Sequence, residues 1–166
     1  MVLWSKLGKL DRRWVYLLVW LAVILPLIFP VPFPISVTPE ARQLYNAVEA
    51  LPESSVVLLT FDVYPNALAE TEPMARAALH HLFRKNIKIV TLTTIPLGGP
   101  SIAERVTREL AAEYHKTYGV DFVNLGYKPN YVSVLKGLGT SIVSIYPTDN
   151  SGTPLDKLPL TQQVKS

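Results

Sequence analysis

Apolar and polar positions divide the chain into three regimes. From Trp14 to Pro39 there is no charge, and the heart of that run, WVYLLVWLAVILPLIF, is almost continuously apolar. About 20 residues at ~1.5 Å each cross a hydrocarbon core of about 30 Å. The run therefore predicts a transmembrane helix over 14–33, with Pro26 inside it, followed by a stiff proline-rich exit over 34–39. Its length, and the absence of a small-x-small site in FPVPFPISVTP, favour a retained anchor over a cleaved signal peptide. From residue 40 to 147, short apolar blocks alternate with stretches in which apolar residues recur every three or four positions. From Thr148 to Ser166 the pattern thins into a polar tail.

The middle regime resolves into elements. Thr38 reads as an N-cap with Pro39 at the first helical position, and Ala41, Leu44, Tyr45 and Val48 share one helical face. VVLLTFDV (56–63) is a short continuous apolar run, the pattern of a strand buried on both faces. A helix strongest from Pro73 to Lys85, a strand over 87–95, the loop PLGGP and a helix to about Tyr118 follow. DFVNLG (121–126) is a third strand, Asn130 to Lys136 a short helix, and SIVSIYP (141–147) a fourth strand. Strands alternating with helices predict a Rossmann-like three-layer α/β domain with a mostly parallel sheet. Val57, Leu59, Ile89, Val90, Phe122 and Val143 are its expected core. The tail offers no closing element, so it is expected to dock on a partner or to continue past Ser166 into further chain.

Charge sharpens the topology. Residues 1–13 hold Lys6, Lys9, Arg12 and Arg13 against the single acid Asp11; the remainder holds twelve residues of each sign. The sequence pI of about 9.1 is thus a topogenic signal. Basic residues ahead of the span place the N-terminus inside and the main domain outside the cytoplasmic membrane. There is no basic patch with interleaved aromatics, so nucleic acid is not an expected partner. With no cysteine in the chain, disulfides, thiol catalysis and thiolate metal sites are excluded.

Candidate chemistry is sparse. Ligands of parallel α/β sheets bind beyond the carboxyl ends of the strands, which singles out Asp62, Thr93, Gly99, Tyr127 and Lys128 as ligand-binding candidates. Gly98-Gly99-Pro100-Ser101 opens a helix but fits neither a Walker loop nor GxGxxG. Ser101 has only His115 after it, about 14 residues or ~21 Å along the same helix, which no triad allows. His80 and His81 are adjacent and point about 100° apart, so they cannot chelate one ion. Asp62, Glu70 and Glu72 form the best carboxylate cluster but lack regular ligand spacing. No catalytic residue, metal or cofactor is assigned.

VVLLTFDVYP, EPMARAALHHLFRKNIKIV, YGVDFVNLGYKP and PTDNSGTPLDKLP resemble segments of a family of uncharacterised bacterial membrane-anchored proteins. The resemblance covers roughly residues 10–166. It implies an N-terminal span leading to an extracytoplasmic α/β domain, with no activity or catalytic residue attached. The chain departs from the family at GYKPNY, where Asn130 and Tyr131 replace a glycine pair. The expected function is a structural or interaction subunit of a membrane assembly, with the lipid bilayer and other membrane subunits or self-association as partners. The alternatives are an extracytoplasmic small-ligand-binding domain and a metal-assisted hydrolase using Asp62 and Glu72.

Overall fold

Arg12–Ile28 forms helix α1, with the Asp11 side chain accepting from the Arg13 N–H at 3.1 Å at its start. A computed structural model describes residues 11–29 and 36–164. The chain separates into two units, 1–39 and 40–166. The first contains α1, whose 17 residues reach about 25 Å. Among the described residues no helix is long and apolar enough to cross a membrane. The span expected over 14–33 runs on into residues 30–35, which lie outside the described residues.

The second unit follows the alternating pattern. Its elements are α2 (Pro39–Glu49), β1 (Val56–Thr60), α3 (Leu68–Arg84), β2 (Lys88–Thr93), α4 (Gly99–Glu113), β3 (Phe122–Tyr127), α5 (Tyr131–Leu138), α6 (Ile142–Ile145) and α7 (Pro159–Gln163). The strands form one parallel sheet in the order β1-β2-β3, with Val57 opposite Ile89 and Ile89 opposite Phe122. Successive side chains of a strand point to opposite faces. Ile89 and Phe122 therefore join Leu79, Phe83, Val106 and Leu110 of α3 and α4 on one face. Val90, Leu92, Val123 and Leu125 meet Val134, Ile142, Tyr146 and the tail leucines on the other. The domain is thus a three-layer α/β unit.

Two expectations are corrected. The fourth strand over 141–147 does not form, because Ile142–Ile145 is a helical turn. Ser141 starts it: its Oγ accepts from the Ser144 N–H, and Ser144 Oγ donates back to the Ser141 carbonyl at 2.8 Å. Such local hydroxyl bonds compete with a sheet ladder. Ile145 also packs against Gly137 so closely that a Cβ there would lie 2.2 Å from Ile145 Cδ1. The segment is tied to α5, and Val143 stays exposed rather than joining the core.

The second correction is to the expectation that the tail holds no closing element. Leu155 and Leu160 are fully buried, and Leu158 nearly so, in the cluster that covers the second sheet face. The Leu160 N–H donates to the Gly119 carbonyl at 2.9 Å. The tail therefore docks on its own domain.

Candidate functional site

Asp62, just past β1, is exposed, and its carboxylate accepts from the Thr94 N–H at 2.7 Å and the Thr94 hydroxyl at 2.9 Å. Thr93 is buried, its hydroxyl oxygen accepting from the Ile95 N–H and donating to the Ile95 carbonyl, both at 3.1 Å. Gly99 closes onto it: an added Cβ would lie 2.4 Å from Thr93 Oγ1 and 3.3 Å from the Phe61 carbonyl. The glycine is required by its packing against Thr93 and the Phe61 carbonyl. Tyr127 lies opposite Thr93 in the sheet register. Lys128 turns to α6, where its ammonium donates to the Ile145 carbonyl and sits 5.2 Å from the centre of the Tyr146 ring. A cation at a helix C-terminus and over an aromatic face is already satisfied. The structure brings Asp62, Thr93 and Gly99 together and places Tyr127 beside Thr93, but Lys128 is engaged elsewhere.

The acidic cluster divides. Glu72 bonds Arg105 at 2.7 and 3.1 Å and Arg76 at 3.0 Å, and Glu109 closes the network from α4 through both arginines. The Arg105 guanidinium, followed by Arg76, holds the Glu72 carboxyl below its ordinary range. Arg76 does the same for Glu109. These carboxylates clamp α3 to α4 and leave Asp62 alone. Among the described residues no group of three possible ligands gathers to hold a metal ion.

Sequence reasoning missed a buried polar latch on the other side of β3. The Tyr118 hydroxyl donates to Asp149 Oδ2 at 2.6 Å, while Oδ1 accepts from the Ser151 and Thr153 N–H groups at 2.8 and 2.7 Å. Burial, then the Asp149 carboxylate, raises the Tyr118 hydroxyl pKa well above the usual phenol range. Buried Asn124 donates to Glu104, and its carbonyl accepts from the Asn150 N–H at 2.9 Å. The described polar groups of the latch are paired with one another, so it fastens the tail and presents no open site.

A larger concavity lies away from the strand ends, along β1. It encloses about 620 Å³ between α2, α3 and one face of β1, lined by Leu44, Tyr45, Val48, Val57, Leu59 and Met74 among others. Part of its polar rim is internally paired. His81 Nε2 lies 2.8 Å from Glu49 Oε1, the Tyr45 ring stacks on His81 at 4.6 Å, and His80 Nδ1 lies 3.0 Å from the Tyr114 hydroxyl. A smaller concavity of about 140 Å³ opens on the opposite face, lined by Val56, Leu58, Val90, Leu138, Ile142 and Val164. The apolar face of α2 was legible in the sequence. Its remaining exposed, with Leu44 at 61% and Tyr45 at 55%, was not, because only the tertiary arrangement shows how little covers it. No family model, curated protein or solved structure matches the chain.

Proposed function

We propose that this protein is a membrane-anchored interaction subunit, with its N-terminus inside and its α/β domain outside the cytoplasmic membrane, and that it docks polypeptide along β1. The observation that carries this reading is the uneven state of its surfaces. At the strand ends Asp62 and Thr93 are hydrogen-bonded within the chain, whereas the edge strand β1 has open apolar concavities on both faces. Apolar concavities beside an unpaired strand suit strand addition, in which main-chain bonds give affinity and side-chain pockets give specificity. The anchor rests on the uncharged run from Trp14 to Pro39 and the four basic residues ahead of it.

A photo-crosslinking side chain at Leu58 tests the docking surface in intact cells, with Thr94 at the crevice as the control. Protein adducts from position 58 and none from position 94 are expected. Adducts from position 94 alone would refute the reading. For the topology, a reporter active only in the cytoplasm, fused after residue 50, is expected to be silent.

A further inference from the structure

The two edges of the sheet are treated differently by the chain. In parallel strands, alternate residues direct both their N–H and C=O to the same side. Ile89 N–H donates to the Asp121 carbonyl, so Phe122 and Asn124 direct theirs away from β2, ahead of the register shift before Tyr127. That outer edge is partly engaged by its own chain. The Phe122 carbonyl accepts from the Gly119 N–H, the Asn124 carbonyl from the Asn150 N–H, and the Gly126 N–H donates to Asn124 Oδ1.

At β1, Lys88 N–H donates to the Ser55 carbonyl and Phe61 N–H to the Leu92 carbonyl, so Val56, Leu58 and Thr60 face outward. Among the described residues β1 pairs with β2 alone. VVLLT carries no charge and no proline, the devices that usually blunt such an edge.

We infer that the occupant of this edge is the β1 strand of a second copy, paired antiparallel about a two-fold axis at Leu58. This rests on the interaction-subunit reading and names its partner. The strand that fits a lane apolar on both faces is one apolar on both faces, and β1 is such a strand. Only the outward residues can bond, and centring on Leu58 uses all three from each copy. Leu58 then faces Leu58 of the other copy, and Val56 faces Thr60, giving roughly six main-chain bonds at two per pair. Between them Val57 meets Leu59. Beyond them Ser55 meets Phe61 and Ser54 meets Asp62, so no like charges oppose each other across the pair. The axis runs normal to the sheet and keeps like faces together. The exposed apolar sides of α2 from both copies therefore lie on one face of the joined sheet, as an isologous contact requires.

The test uses the full chain in mild detergent. The protein mass by light scattering is expected at twice the 18.5 kDa of one chain. Leu58 is 42% exposed, so Leu58→Lys and Leu58→Asp should keep the native circular dichroism while each falls to single mass, and an equimolar mixture should recover the double mass. Because the chain has no cysteine, Leu58→Cys with a short bismaleimide should yield a linked pair of chains. A double mass that both charge variants retain would overturn the edge as the contact. A single-mass wild type with position-58 adducts to a different polypeptide would overturn self-pairing and leave the broader reading standing. A single-mass wild type with no position-58 adduct would overturn both.

Discussion

Gly99 shows how one residue separates packing from binding. In the sequence it opens a helix after a strand, and it was singled out as a ligand-binding candidate beyond the strand ends. The structure gives the glycine another cause, since Thr93 Oγ1 and the Phe61 carbonyl fill the space where a Cβ would stand. Gly99→Ala is therefore expected to destabilise the domain by about 1–3 kcal/mol, as overpacking does, read from the denaturation midpoint. An unchanged midpoint would mean that the turn has room to spare. Lys128 teaches the same lesson. It was legible as a cation at a strand end, but its capture by the Ile145 carbonyl depends on α6, which the sequence pattern read as a strand.

Among the elements, the three strands that form were legible because each is a short apolar run bounded by breakers. SIVSIYP has the same look, and periodicity does not separate a strand from a buried helical turn in so short a run. The serine pair at 141 and 144 was the local signal for a turn. The tail was missed because its leucines stand singly among prolines, without a period. Leu160 is fully buried, so Leu160→Ala should cost about 2–5 kcal/mol in chemical denaturation. A loss below about 0.5 kcal/mol would mean that the tail does not belong to the core.

The α3–α4 clamp adds a pH dependence. Glu72 and Glu109 have folded pKa values lowered chiefly by Arg105 and Arg76 respectively. A lowered carboxyl pKa contributes stability above the ordinary carboxyl value near pH ~4.3, and that contribution is lost as pH falls through the folded value. Wild type should therefore lose more thermal stability than Glu72→Gln on acidification from neutral pH to below ~4. The difference should shrink with added salt, because these groups reach solvent. Parallel melting curves for the two proteins would contradict this assignment.

For the molecule as a whole, the sequence conveyed the class, an α/β domain after an uncharged N-terminal run. It could not convey which edge of the sheet stays open. That depends on a tail folding back over β3 through Asn124 and Asn150, a contact between residues far apart in the chain. The absence of a fourth strand matters for the same reason. Had SIVSIYP joined the sheet, the distribution of free edges would differ, and the candidate surface with it. An open apolar edge in an otherwise well-paired domain is an aggregation liability unless it is occupied.

Residue-resolved amide hydrogen exchange on the full chain in lipid particles addresses the occupancy of the β1 edge most directly. The amides of Val57 and Leu59 face β2 and report the stability of the sheet. Those of Val56, Leu58 and Thr60 face outward and report whether the edge is covered. Exchange at the three outward amides as slow as at the two inward ones is the expected result. Rapid exchange at Val56, Leu58 and Thr60, beside protected Val57 and Leu59, would show a bare edge and contradict the account.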